Sequence, residues 1–192
     1  GSVEIEGAED PVVRNVVFDS PGGNGLLLSG YVRGALVRQC EFKWVGDSAI
    51  VLLGRTDPAQ PCNASNGEQP RGTQIFGNFI SEVGVWGKQG CGVFQALTMG
   101  TNISHTIIFN GPRAGVLWND GMGGSNNLEH SLMFNLVRET TGKISQLHLF
   151  CVVRIVLPCF TASLLTEMRM AWLIVADGNP FAHWFDQTMA HL

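Results

Sequence analysis

With 192 residues the chain is long enough to bury one substantial hydrophobic core, so we expect one main domain. Its 45% hydrophobic and 15% charged residues exclude an intrinsically disordered protein, and its 24 glycines indicate many tight turns. The formal net charge of -4, with lysines and arginines scattered singly, gives no support for nucleic acid or a membrane surface as the partner.

Five stretches of the chain follow one template, which begins after an N-terminal flank predicted at residues 1–11. An apolar residue is followed three places later by a residue that we call the slot, and another apolar residue comes two places after the slot. Successive slots are 24, 38, 28 and 25 residues apart, and the longest interval contains a loop. The five copies are Val13, Val16, Phe18; Val37, Cys40, Phe42; Ile75, Asn78, Ile80; Ile103, Thr106, Ile108; and Leu128, Ser131, Met133.

A repeat of roughly 25 residues, made of short β-prone runs and glycine turns, is typical of a β-solenoid. We therefore predict an all-β fold, a right-handed parallel β-helix fragment of about five coils over residues 12–140. Successive coils should lie about 4.8 Å apart, so that equivalent positions form ladders along the axis. One inward ladder should contain Phe18, Phe42, Ile80, Ile108 and Met133, while the slot side chains bond backbone groups at a corner.

The interval between the second and third copies, residues 55–72, is rich in proline and glycine and lacks apolar periodicity. It is therefore predicted to leave the solenoid as a loop excursion. Cys62 in this loop and Cys91 in a later insertion can form a disulfide. N-glycosylation sequons begin at Asn63 and Asn102 and are compatible with a secreted protein.

Alignment of the copies by slot predicts which polar residues stack on adjacent coils. Glu82, Asn110 and Asn135 each lie four residues after a slot. His105 and His130 each precede a slot by one residue. A stacked histidine pair can shuttle protons or can simply decorate a turn.

Two arginines, Arg113 and Arg138, also share a position, seven residues after their slots. At a separation of about 5 Å they would repel each other unless an anion lies between them. That anion can be Glu139, or a uronate or sulfate group of a bound glycan. The alternative is a solvated turn with ordinary Arg–Glu pairing.

The triplet Asn119, Asp120 and Gly121 ends a strand where earlier coils have only small residues. An acid and an amide at a strand end can serve a sugar cleft, or can form an Asx turn. Exposed tryptophans can stack on sugars, but they can equally pack between coils. The tryptophans in question are Trp44, Trp86 and Trp118.

The stretches GPRAG at 111–115, NDG at 119–121 and EHSLMFN at 129–135 resemble a secreted-type β-helix family of algae and protists, of the pectin-lyase kind. Arg138, Glu139 and Thr140 also resemble β-helical glycoside hydrolases, in which an acidic residue and glycine follow. This resemblance implies carbohydrate processing or binding, with Asp120 and Glu139 as the catalytic carboxylates. Arg113, Arg138, Asn119 and His130 would then hold the substrate.

After Thr140 the template ends, and residues 141–192 are predicted to form an irregular or partly helical tail. Charged residues and a proline interrupt its apolar runs, so no membrane span is expected. The tail has two interpretations: translated intron or mispredicted sequence, or a segment that caps the open end of the solenoid. Where the resemblance requires an acidic residue and then glycine after Thr140, the chain continues with Thr141, Gly142 and Lys143 and lacks the acidic residue, so we expect this chain to be inactive.

The sequence therefore predicts a fragment of a carbohydrate-active β-helix protein whose intact relatives hydrolyse a glycan. A polysaccharide lyase and a non-catalytic glycan-binding or adhesive β-helix remain as alternatives. The expected partner is a polysaccharide, with no metal or other cofactor and a monomeric state. The expected location is extracellular or endomembrane.

Overall fold

The structure, a computed structural model, describes residues 1–57, 60–64, 67–119, 124–136, 149–157 and 168–172. These residues fold as an all-β parallel solenoid of about five turns, which confirms the predicted fold class. In chain order the strands are β1 (Val3–Glu9), β2 (Val12–Arg14), β3 (Val17–Asp19), β4 (Leu26–Arg33), β5 (Leu36–Arg38), β6 (Glu41–Lys43), β7 (Ile50–Leu53), β8 (Thr56–Asp57), β9 (Gln60–Ala64), β10 (Pro70–Arg71), β11 (Gln74–Phe76), β12 (Phe79–Ser81), β13 (Cys91–Ala96), β14 (Asn102–Ser104), β15 (Ile107–Phe109), β16 (Ala114–Asn119), β17 (Asn126–Phe134), β18 (Leu149–Leu157) and β19 (Met168–Trp172).

Three parallel faces run along the axis. The first sheet has the order β1-β4-β7-β13-β16, and β10 also pairs with β4. The second sheet runs from β2 through β5, β11 and β14 to the first half of β17, and the third from β3 through β6, β12 and β15 to its second half. Each coil thus supplies one short strand to each face, as a period of roughly 25 residues requires.

Each turn between faces contains at least one residue in the left-handed conformation, and the residues at equivalent positions have φ between 47° and 68°. Glycine and asparagine adopt this conformation at low cost, whereas other side chains are strained in it. The first corner contains Asp10, Gly34, Gly72, Gly100 and Ser125; the second contains Asn15, Gln39, Gly77, His105 and His130; the third contains Ser20, Trp44, Glu82, Asn110 and Asn135.

The predicted inward ladder is confirmed. Phe18, Phe42, Ile80, Ile108 and Met133 are each in register with the next, and none is more than 6% exposed. The two phenylalanine rings stack with their centroids 4.4 Å apart. Because every coil adds one apolar side chain to this row, the hydrophobic effect specifies both the register and the coil spacing.

The slot side chains form a second ladder, of hydrogen bonds. Asn78 Oδ1 accepts from the backbone N–H of Cys40 at 2.9 Å. The N–H of Asn78 donates to Thr106 Oγ1 at 3.4 Å, and the N–H of Thr106 donates to Ser131 Oγ at 3.3 Å. These backbone groups are buried at the second corner and need such partners. The predicted role of the slots is therefore confirmed.

The structure differs from the sequence expectations at three places. β1 lies inside the predicted flank of residues 1–11 but pairs in parallel with β4, so the solenoid already begins at Val3. The predicted excursion contains the antiparallel hairpin β8–β9 and ends earlier, because β10 returns to pair with β4. Two stretches of the predicted tail are strands rather than helix: β18 pairs antiparallel with β17, and β19 with β18.

Candidate functional site

Three of the predicted site residues, Asp120, Arg138 and Glu139, fall outside the described residues. They include both predicted catalytic carboxylates. Glycan hydrolysis by this pair therefore stays a prediction.

The described members of the predicted site lie far apart. Arg113 precedes β16 and Asn119 ends it, so about six residues of extended chain, roughly 20 Å, separate them. Arg113 donates to Gln89 Oε1 in the preceding coil, and Asn119 is in register with Ala96. His130 lies on the second corner, beyond a further turn of the coil. The structure does not bring these three side chains together.

The predicted stacking of His105 on His130 is present. Their ring centroids lie 5.2 Å apart with an interplanar angle of 24°, and Phe76 contacts His105 on the other side at 5.0 Å. His130 Nδ1 lies 4.0 Å from Glu129 Oε2. Within the described part of the chain, no group of three or more His, Cys, Asp or Glu side chains is arranged to hold a metal ion.

The predicted glycosylation sites stay predictions. Asn102 takes part in an amide ladder on the second sheet: its Nδ2 donates to Gln74 Oε1 at 3.2 Å, and its Oδ1 accepts from Asn127 Nδ2 at 2.9 Å. The nitrogen that would carry a glycan is thus bonded within the sheet. Asn63 lies in β9, and its side chain is outside the described part.

Cys91 carries a free and fully buried thiol. The side chain of Cys62, its predicted disulfide partner, lies outside the described part, so this pairing stays a prediction. The Sγ atom of Cys91 lies 3.9 Å from Ser48 Oγ, which also accepts from the Cys91 N–H at 3.1 Å. Burial, together with the charge of Asp47, raises the pKa of this thiol to about 11 against the opposing effect of the Ser48 hydrogen bond. A thiol that stays protonated at neutral pH is a poor nucleophile.

The three tryptophans considered as sugar platforms divide into two groups. Trp118 is partly buried and packs against the core. Trp44 and Trp86 are 55% and 77% exposed, and they are the two bulkiest side chains among the exposed apolar residues whose side chains the structure describes. Because exposure of an indole to water is unfavourable, two exposed indoles in one region indicate a binding surface.

Trp44 and Trp86 lie at the same corner. Trp44 occupies the third corner in the second coil. Trp86 belongs to the insertion of the third coil, where the N–H groups of Val85 and Trp86 donate to Val45 O and Gly46 O at 3.0 and 2.9 Å. Lys88 Nζ donates to the carbonyls of residues 84 and 85 at 3.0 and 2.8 Å and fixes this insertion.

A polar ladder continues the same corner along the axis. Asn110 Nδ2 donates to Glu82 Oε1 at 2.5 Å, and Asn135 Nδ2 donates to Asn110 Oδ1 at 2.6 Å. All three residues are left-handed and half-buried. The stacking that the sequence predicted for these positions is thus confirmed. We name Trp44, Glu82, Trp86, Asn110 and Asn135 the third-corner ridge.

The third-corner ridge combines the two kinds of group that recognise sugars. Indole rings pack on the C–H faces of sugar rings, while amides and carboxylates bond their hydroxyls. The sequence analysis found these residues separately but did not join them. The slot position joins Trp44 to the ladder, because Trp44 lies four residues after the slot residue Cys40, just as the ladder residues lie four residues after their slots. No such spacing joins Trp86 to them.

Comparisons of the chain with protein-family models, with curated proteins and with solved structures give no match. The resemblance to the algal and protist β-helix family therefore rests on the motifs quoted above. No helix of the described residues is long and apolar enough to cross a membrane.

Proposed function

We propose that this solenoid binds a glycan at the third-corner ridge, as the binding part of a carbohydrate-active protein at a cell surface or outside the cell. One observation carries the proposal: Trp44 and Trp86 are exposed at the same corner as the hydrogen-bonded ladder of Glu82, Asn110 and Asn135. Both the apolar and the polar half of a sugar site are therefore held by rigid backbone.

Backbone strain at Trp44 supports a role beyond packing. Its φ of 54° puts a bulky aromatic residue in the left-handed region, at a cost of about 1–2 kcal/mol. Asn110 and Asn135 occupy the same corner in later coils, and asparagine tolerates this conformation. A strained and half-exposed tryptophan at a position that suits asparagine is typical of a binding site.

Affinity electrophoresis in gels that contain a soluble polysaccharide tests the proposal. We expect retardation of the wild-type chain by at least one polysaccharide and loss of retardation in Trp44→Asn and Trp86→Ala. Trp44→Asn relieves strain as it removes the indole, so its stability should stay within about 1 kcal/mol of wild type. The matched control is Phe76→Ala, which removes a 42%-exposed ring from the second sheet.

Two results would contradict glycan binding at the ridge. One is equal mobility of the wild-type chain with and without every neutral and acidic polysaccharide tested. The other is retardation that Phe76→Ala abolishes and Trp44→Asn leaves intact. Release of reducing ends without unsaturated sugars would instead favour the hydrolase, whose predicted carboxylates are Asp120 and Glu139, and release of unsaturated sugars would favour the lyase.

A further inference from the structure

We infer that the ligand of the third-corner ridge is an uncharged, extended glycan that lies parallel to the solenoid axis. This inference rests on the glycan-binding function proposed above, and it specifies the class and the orientation of the ligand.

The orientation follows from the spacing of the ridge. Trp44, Glu82, Asn110 and Asn135 occupy the same corner in four successive coils. At about 4.8 Å per coil, they span roughly 14 Å along the axis. An extended β-linked glycan presents one sugar ring over a length close to one coil spacing. A glycan parallel to the axis therefore contacts one ridge residue per sugar. A glycan perpendicular to the axis would contact only one ridge residue.

The amide ladder can bind hydroxyl groups without being broken. Asn110 and Asn135 each use one N–H of the side-chain amide within the ladder, and a second N–H and further carbonyl lone pairs remain. The bonds within the ladder hold both side chains in place. A ligand therefore loses little free energy in ordering them.

An apolar strip borders the ladder on the third sheet. Phe109 and Phe134 directly precede Asn110 and Asn135, and their rings are parallel within 5° with centroids 4.8 Å apart. Both side chains are half-buried on the outer face of the sheet. Amides beside apolar C–H surface, repeated from coil to coil, match the alternation of hydroxyls and C–H groups on a sugar chain.

The charges around the ridge disfavour an acidic glycan. The ladder includes the carboxylate of Glu82, and a negatively charged group at this corner disfavours a uronate or a sulfate. Lys43 is paired with Asp19 at 3.3 Å, and Lys88 bonds two backbone carbonyls. Arg113 bonds Gln89, but its guanidinium has further donors. Among the described cations named here, Arg113 is therefore the residue through which an acidic glycan would bind.

Titration calorimetry on the 192-residue chain tests this inference with cello-oligosaccharides and chito-oligosaccharides of increasing length, against oligogalacturonate of matched length. We expect affinity for a neutral series to rise up to roughly four sugars and then to level off. Asn135→Gly suits a φ of 50° and removes the last ladder side chain without strain. It should lower tetrasaccharide affinity about three- to tenfold and lower disaccharide affinity by a smaller factor.

The outcomes separate this inference from the function on which it rests. Tighter binding of oligogalacturonate, lost in Arg113→Ala, would overturn the uncharged ligand while preserving glycan binding. Neutral binding that needs Trp44 but is the same for all lengths and for Asn135→Gly would overturn the axial orientation. Binding of none of the probes would contradict the proposed function itself. Equal thermal midpoints of the variants and wild type show that each variant is folded.

Discussion

Asn110 donates from Nδ2 to Oε1 of Glu82, at 2.5 Å, across two adjacent coils of the third corner. Both residues are left-handed, and 28 residues of sequence separate them. The hydrogen bond exists because the inward apolar ladder holds the coils in register, so that a turn position recurs directly above its equivalent. The same register places Trp44 at the next position along that corner.

Removal of the slot asparagine should destabilise the solenoid strongly. In Asn78→Leu, the buried N–H of Cys40 and carbonyl of Val37 lose partners that now lie at 2.9 and 3.0 Å. We expect a loss of about 2–4 kcal/mol in the free energy of unfolding, measured in urea. Thr106→Ser is the control, because it keeps the slot hydroxyl and should cost less than about 1 kcal/mol. Equal stability of Asn78→Leu and wild type would show that the slot bonds are dispensable.

A methyl group at Gly46 should disturb the tryptophan insertion. A Cβ there would overlap the carbonyl of Gly22 and lie 3.0 Å from Trp86 Cδ1. Gly46→Ala should therefore lower stability by about 1–3 kcal/mol and weaken glycan binding, measured by urea unfolding and by titration. Gly22→Ala is a matched control, because a Cβ at that position meets nothing within 4 Å. If both variants behaved alike, the close approach of the Gly22 carbonyl and of Trp86 to Gly46 would be contradicted.

The interior contains a buried side-chain amide nitrogen without a hydrogen-bond partner, and an apolar substitution there should raise stability. Gln95 is 1% exposed and lies in register between Leu52 and Trp118, and its Nε2 has no hydrogen-bond partner in the structure. Its Oε1 accepts from Thr98 Oγ1 at 2.9 Å.

The double variant Gln95→Leu/Thr98→Val removes both polar partners and should gain about 1–2 kcal/mol in thermal unfolding. Gln95→Leu alone should gain less, since it leaves the buried Thr98 hydroxyl without its acceptor. A double variant less stable than wild type would contradict this account.

Stability should fall at alkaline pH because of Cys91. Its folded pKa of about 11 lies above its ordinary value of 9.0, so the folded state holds the proton more tightly than the unfolded state. The stabilisation is therefore complete below pH 9 and is lost as the pH rises from about 9 to about 11. In Cys91→Ala the decline over this interval should be smaller than in wild type, as seen by urea unfolding at each pH. Identical pH profiles would mean that the thiol ionises equally in both states.

The sequence predicted the fold because the slot template records both the register and the corners. Apolar rows such as Ile80 and Ile108 recur at a fixed offset from the slot, and polar rows such as Asn110 and Asn135 recur at another. Even the stacking of His105 on His130 follows from their shared position before a slot.

The site could not be predicted in the same way. The template gives the coil in which a residue lies and its position within that coil, but it does not give the exposure of the side chain. Trp118 and Trp44 have the same side chain, yet the first packs on the core and the second faces solvent. The place of Trp86 beside Trp44 depends on backbone pairing of an insertion that has no repeat, so no periodicity reports it.

The most direct test of glycan binding at the third-corner ridge is a ¹H–¹⁵N NMR titration that follows the indole N–H signals of the chain, which has 5 tryptophans. On saturation with a neutral oligosaccharide, the signals of Trp44 and Trp86 should shift together with one binding constant. The signal of Trp118, which packs against the core, should stay in place. A saturable shift of Trp118 with Trp44 and Trp86 unchanged would contradict glycan binding at the ridge.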